Sequence, residues 1–393
     1  MKQAKVDFLI VGAGIAGLWL LADLKARGYS VLLCESKPIG SGQTVASQGI
    51  IHGGTKYALT GTASKATTAI GDMPKRWKAA LAGKDNVNLS DVKWLSQHQL
   101  LWTSPNIASK VTGFFASKVM KSRMQLVDVA NYPSLFQHPD FKGNLYQLDE
   151  PVLDVPSLLD SFYRQFSDCI IKSNIEDSGL VKDHNNWRFE TALPDNDRLQ
   201  IQAQQIILSA GEGNEALCKP LGDNAPTMQR RPLQMVMVKS QNLPLVYAHA
   251  LGVSDKPKIT ITSHKNQQNQ TVWYIGGEPA EKGVSKPANT LIQSTKAELQ
   301  QLLPWLDFTN MEWSTFVINR AEGEQKEGKR PDQPVTKYID NIAIGWPTKL
   351  AFAPMLADKI AEKFAGLKPL KDNYIPQNLP AVEVGKPVWE QSK

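Results

Sequence analysis

The stretch VDFLIVGAGIAGLWLLADLKARGYSVLLCES, near the amino terminus, restricts the fold more than any other part of the chain. Asp7 to Val11 is an apolar run of buried-strand length, and Gly12-Ala13-Gly14-Ile15-Ala16-Gly17 comes directly after it as G-x-G-x-x-G. The apolar period then lengthens. Ile15, Leu18, Leu21, Ala22 and Leu24 recur at helical spacing until Gly28, and SVLLCE returns to strand. In such a unit Gly12 permits a tight turn, Gly14 lets backbone approach a pyrophosphate, and Gly17 lets helix and strand pack closely. Glu35 ends the second strand 18 residues after Gly17, where a carboxylate can accept hydrogen bonds from both ribose hydroxyls and disfavours a ribose phosphate. The unit alone fits NAD and FAD equally.

The next segment of chain separates the two cofactors. A simple nicotinamide dehydrogenase continues with alternating strands and helices, whereas this chain runs within a few residues into IGSGQTVASQGIIHGGTKY. Thr44, Ser47 and Gln48 supply hydroxyl and amide groups there, and Gly49, Gly53 and Gly54 leave backbone amides bare toward a flat ring. At these residues the chain resembles the D-amino-acid oxidase superfamily of FAD enzymes. IIHGGTKY looks like the His-Gly-Gly-x-Arg-Tyr motif of FAD-dependent glycerol 3-phosphate dehydrogenases, and GIIHGGTKYALTGTASKA is similar to the 2-hydroxyglutarate dehydrogenase and oxidase branch. The resemblance covers most of the chain, is strongest at residues 6 to 61 and is weak between about 80 and 150. Lys56 stands where the glycerol 3-phosphate motif has arginine, and lysine lacks the bidentate fork that suits that substrate.

The resemblance implies an α/β fold in which a Rossmann-like FAD-binding domain is interleaved with an antiparallel-sheet α+β substrate domain. The expected division gives FAD-binding parts at 1–80, 151–217 and 335–368, substrate-domain parts at 81–150 and 218–334, and a C-terminal tail at 369–393. LQIQAQQIILSAGEGNEAL resembles the superfamily segment that returns to the FAD domain. NIAIGWPTKLAFAPMLADKIAEKFAG predicts a strand and then a helix starting near Pro354, with Leu356, Ile360 and Phe364 on one face. In the superfamily that loop and helix start lie against the pyrimidine end of the flavin, where a helix amino terminus stabilises negative charge. The implied FAD contacts are Gly12, Gly14, Ile15, Ala16, Gly17, Glu35, Ser36, Thr44, Ser47, Gln48, Gly49, Ile51, Ala210, Gly211, Gly345, Thr348, Lys349 and Leu350.

Elsewhere, residues 62 to 82, Leu153 to Phe166 and Asn289 to Leu303 read as helical. RRPLQMVMVKS, KITITSH, TVWYIGGEP and MEWSTFVIN read as strands of the second sheet. The last stretch carries four prolines and is expected to run extended over the surface, with Trp389 as an anchor.

For chemistry, the expected reaction is the oxidation of a small anionic substrate, a 2-hydroxy acid, amino acid or polyol phosphate, by hydride transfer to flavin N5. Oxygen or a quinone is left open as acceptor. His52 is the candidate for the proton role, since a near-neutral imidazole suits that step; hydrogen bonding to flavin or backbone, and covalent attachment of the flavin, stay open for it. Arg320 in VINRAEGE and Arg330 in GKRPDQP are candidates for the anion grip, either one pointing inward, and Lys349 joins the catalytic set. Tyr57, Lys56, Arg231, Gln234 and Tyr274 are of second rank, a packing or surface role being the commoner outcome for such residues.

Composition sets bounds. At 42% hydrophobic and 21% charged residues, the 393-residue chain is of ordinary globular usage. The excess of 44 basic over 38 acidic residues, +6, favours anionic partners without choosing among them. An oxidase acting on a modified tRNA nucleoside, and a flavin-binding module without catalysis, are the competing readings. No second G-x-G-x-x-G stands after a strand, against a nicotinamide-dependent flavin reductase. Cys34, Cys169 and Cys218 show no paired spacing and the six histidines are scattered, so neither disulfides nor a metal site is expected. No apolar run of about 18 residues exists, and the expectation is a cytoplasmic protein, peripheral at most at the inner membrane face.

Overall fold

In the computed structural model, which describes residues 1–54, 70–103, 124–194, 197–251 and 257–391, two large sheets carry the chain. The first is centred on β1 (Lys2–Val11), flanked in parallel by β2 (Val31–Glu35) on one side and by Arg198–Leu208 on the other. Ile170–Lys172 extends it beyond β2, and Ile342–Trp346 pairs in parallel with Arg198–Leu208. β1 is covered on both faces. Phe8 and Ile10 join the core that holds α1 (Ile15–Ala26), while Leu9 and Val11 join a second core with Leu208 and Trp346. That is why its sequence is a continuous apolar run without alternation.

α1 is buried at every position from Ile15 to Leu24, so it is apolar all round. It packs against the helix Ala353–Lys363, and Trp19 meets Trp77 of the helix Met73–Leu81 with ring centroids 4.7 Å apart. Asp7, fully buried in β1, accepts from the amides of Ser30 and Leu370, the Ser30 hydroxyl and the Gln204 amide; these bonds hold its carboxyl below the usual range against the burial that raises it. One acid thereby ties three distant segments to the sheet.

The second sheet runs in the order Glu312–Gly323, Met228–Ser240, Thr271–Gly277, Pro257–Lys265, Ala248–Leu251, Gln99–Thr103, Asn144–Leu148, Met124–Leu126. All four strands expected from sequence are in it. It is mixed rather than purely antiparallel, since Ala248–Leu251 and Gln99–Thr103 pair in parallel, joined only through a long excursion of chain. The C-terminal stretch straps both units. It bridges to Lys5 through Tyr374 and to Ile39 through Val384, and buries Trp389 against His264 at 4.1 Å between ring centroids.

Candidate active site

The glycine turn is closed from several directions. Gly12 has φ +106, and a Cβ there would lie 2.6 Å from the Ala210 Cα, so no other residue fits. A Cβ on Gly17 would lie 2.0 Å from the Gly12 carbonyl oxygen, which shows how closely α1 approaches the turn. Gly14 caps α1 without a side chain, and the Thr44 hydroxyl accepts from the Ile15 amide at 3.0 Å in its place. The Glu35 carboxylate accepts from the amides of Ala13, Ser36 and Lys37 at 2.7, 2.8 and 2.9 Å. It is thus held at the mouth of the turn by backbone.

The segment after β2 is pinned by the strand Val152–Leu153. Leu153 donates to the Gly49 carbonyl at 2.9 Å, Ile51 donates to the Pro151 carbonyl at 2.8 Å, and Ile50 and Val152 form an antiparallel bridge. Continued by two residues, that register sets His52 opposite Glu150. His52 Nδ1 lies 3.1 Å from Glu150 Oε2. Glu150 is 3% exposed; burial alone would raise its pKa, but the His52 hydrogen bond, the charges of His52 and His249 and the Gly53 amide hold it down to about 2. His52 is pushed below the ordinary histidine value, first by burial, then by the charges of Lys349 and Arg330, against the pull of Glu150. Its side chain keeps 41% of its surface accessible, so the imidazole is open to a small molecule as well as paired with Glu150.

His249, on the strand Ala248–Leu251, stacks on His52 with centroids 6.1 Å apart and rings inclined by 21°. Its Nδ1 is 2.8 Å from the hydroxyl of Thr260, its cross-strand neighbour. One donor atom from each of His52, Glu150 and His249 lies within 4.8 Å of the others, close enough for an ion. The Lys349 and Arg330 charges that bear on His52 disfavour added positive charge there, and the Glu150 carboxylate works against them.

The cations converge from separate elements. Arg320 lies on Glu312–Gly323, its Nε donating to the Arg231 carbonyl at 3.0 Å, and burial, then Arg231 and Arg330, bring its pKa down to about 10. Arg330 lies beyond the end of that strand and has a buried Nε with no hydrogen-bond partner among the described residues. Lys349 sits in the turn before the helix Ala353–Lys363, its ammonium 5.1 Å from the Phe352 ring centroid.

Other expected residues fall differently. The Gln48 amide nitrogen donates to the Tyr274 carbonyl at 2.8 Å, so its side chain ties the glycine segment to the second sheet instead of lying open to a cofactor. The Tyr274 hydroxyl is buried on the Ala46 carbonyl, and Arg231 is paired with Glu322 at 2.7 and 2.8 Å; both are structural. Gln234 contacts the Thr315 hydroxyl at 3.4 Å. Lys56 and Tyr57 lie outside the described residues. Gly211 accepts from the Trp346 indole and Gly345 from the Asn214 amide, holding Ala210-Gly211 against Ile342–Trp346. Glu150 and His249 carry no motif that singles them out; only a strand register and a cross-sheet contact bring them to His52.

Of the four buried hydroxyls without a partner among the described residues, two, Ser47 Oγ and Thr348 Oγ1, belong to the segments expected at the cofactor, and Thr348 has φ +64, unusual for a β-branched residue. Beside them, a Cβ on Gly14 would meet only the Thr44 hydroxyl, at 3.5 Å. Unpaired polar atoms, open space at the turn and the start of two helices fit a polyanionic group with a polar ring.

Known proteins share this fold. Residues 7–375 match the model of the FAD dependent oxidoreductase family, and the chain belongs to that family. It is 42% identical to the "Probable FAD-dependent oxidoreductase PA4991" of Pseudomonas aeruginosa, over 99% of both chains, and the crystal structure of that protein superposes with a TM-score of 0.85 over 99% of each. Glycine oxidase from Geobacillus kaustophilus (13% identity, 97% of this chain and 100% of that one, TM-score 0.67) shares the fold. So does L-alpha-glycerophosphate oxidase from Mycoplasma pneumoniae with FAD bound (15%, 94% and 97%, 0.63). The protein is an FAD-dependent oxidoreductase, and FAD is its cofactor. Among the described residues no helix is long and apolar enough to cross a membrane.

Proposed function

We propose that the protein oxidises a small anionic substrate, a 2-hydroxy acid, an amino acid or a polyol phosphate, at the carbon bearing its hydroxyl or amino group. The single observation that carries this is the meeting of a neutral-leaning imidazole, His52, with the cationic Arg330 and Lys349 on a carboxylate-anchored loop, and Arg320 beyond them. The two oxidases that share the fold act, by their names, on glycine and on glycerophosphate, each a small molecule with an anionic group.

FAD supplies the acceptor for the substrate hydride. The rest falls to the chain's own residues. Arg330, with an unpaired buried Nε, and Arg320 hold the carboxylate or phosphate, for which a planar guanidinium gives a two-point grip. His52, uncharged near neutral pH, accepts the proton that leaves the substrate heteroatom. Gly12, Gly14, Gly17, Glu35, Thr44, Ser47 and Thr348 are the residues proposed to hold FAD, with the first sheet as the FAD-binding part and the second as the substrate part. The cytoplasm is the proposed compartment.

The test is anaerobic. The yellow holoprotein is mixed with 2-hydroxy acids, D- and L-amino acids, N-methylglycine and glycerol 3-phosphate, and bleaching of the flavin band is followed. At least one anion bleaches it, and the neutral amide or ester of that compound does so far more slowly. Equal rates with the neutral analogue would remove the anion grip.

A further inference from the structure

We infer that Glu150 and His249 are positioning residues that make His52 one half of a carboxylate-bridged imidazole pair, fixing its tautomer and sharing the proton it receives. The inference rests on the reading of His52 as proton acceptor. Its observations are geometric.

The bridge between Ile50 and Val152 sets His52 and Glu150 opposite each other, with Nδ1 and Oε2 3.1 Å apart. An ionised carboxylate only accepts hydrogen bonds, so His52 carries its hydrogen on Nδ1, and Nε2 keeps the lone pair a proton acceptor needs. The Gly53 amide also donates to Glu150, fixing the carboxylate from the same loop. His249 reaches the cluster from the second sheet and lies nearly parallel to His52. Its Nδ1 is engaged by the Thr260 hydroxyl, and a ring nitrogen of His249 lies within 4.8 Å of a Glu150 carboxylate oxygen. A carboxylate with an imidazole on each side is a proton-holding device. Before reaction the three groups carry one negative charge. The substrate O–H or N–H bond breaks, its proton forms a bond to His52 Nε2, and the cluster becomes neutral; the hydride, with the electron pair of the broken C–H bond, would pass to FAD, so two electrons and one proton are accounted for. The proton remains within the cluster until the reduced cofactor is reoxidised. Among the described residues the titratable and charged groups facing His52 are Glu150, His249, Lys349 and Arg330, and the two cations disfavour imidazolium unless Glu150 offsets them.

The test reads the imidazole without turnover, so it is independent of the substrate panel. The FAD-loaded protein is labelled with 15N-histidine, the His52 signals are assigned by comparison with His52→Asn, and tautomer and titration are followed by NMR. Wild type shows hydrogen on Nδ1. Glu150→Gln, nearly isosteric, loses that preference and moves the His52 midpoint down by about one unit or more. His249→Phe keeps the stacked ring, leaves Glu150 to His52 alone and moves the midpoint up. Opposite shifts are not what a loosened fold would give. A wild-type His52 with its hydrogen on Nε2, or a midpoint unmoved in the variants that fold, overturns the inference. So does a divalent ion at one per chain that His249→Phe releases.

Discussion

Replacing Gly14 by alanine separates the glycine turn's role in folding from its role in binding. The backbone at Gly14 has φ −73 and ψ 175, ordinary for any residue, and the added Cβ would meet only Thr44 Oγ1, at 3.5 Å. The apoprotein therefore keeps its stability within about 0.5 kcal/mol, or gains roughly 0.4–1 kcal/mol from the lost freedom of the unfolded chain. The new methyl stands where a pyrophosphate must approach backbone, and overpacking of that kind costs about 1–3 kcal/mol. At about 1.4 kcal/mol per tenfold, FAD binding weakens by roughly 5- to 150-fold. Gly17→Ala is the opposite case, because its Cβ falls 2.0 Å from the Gly12 carbonyl and α1 must move away from the turn before any cofactor arrives. There the apoprotein itself loses about 1–3 kcal/mol. Denaturant melts of both apoproteins and FAD titrations followed by flavin fluorescence measure the two quantities. Wild-type FAD affinity in Gly14→Ala, or an apoprotein as damaged as Gly17→Ala, would refute the reasoning.

His52→Ala keeps bound FAD but slows anaerobic bleaching by about a hundredfold or more, the usual scale for a proton-transfer group; an unchanged rate removes His52 from the mechanism. Arg330→Met raises the half-saturating substrate concentration by roughly tenfold or more while leaving the melting temperature close to wild type, and an unmoved half-saturation point rejects the grip. Arg231→Met behaves in reverse: it strands Glu322, which is fully buried, and costs about 3–5 kcal/mol of stability, so a melting temperature near wild type would show that the pair is not structural. His264 is buried against Trp389, and burial pushes its pKa down to about 3 from 6.5. The unfolded chain takes up this proton below pH 6.5 while the folded one does not, so stability falls as pH drops from 6.5 toward 3. His264→Phe flattens the slope of melting temperature against pH between about 6.5 and 5.5, before Glu150, with an ordinary value of 4.5, takes up much proton in the unfolded chain; an identical slope contradicts the assignment.

The amino-terminal unit was readable from sequence because its causes are local. A doubly covered strand must be apolar throughout, a buried helix must be apolar all round, and a turn with φ +106 admits only glycine, so β1, α1, β2 and Gly12 each leave a mark at fixed spacing. The strands of the second sheet left similar marks. Their neighbours did not, which is why the parallel pairing of Ala248–Leu251 with Gln99–Thr103 had to come from the structure. His52 was visible as an imidazole among glycines, but Glu150 stands 98 residues away and His249 on another sheet. Nothing in LDEPVL or YAHAL distinguishes them from a surface acid and a strand histidine. The same holds for the arginines, since only tertiary contact shows Arg231 paired with Glu322 while Arg330 Nε has no partner among the described residues. Short-range backbone requirements in the sequence marked a dinucleotide-binding unit, and the resemblance carried by the glycine segment after it implied FAD. The proposed proton site and anion grip rest on long-range register and charge, which exist only once the two sheets are brought together.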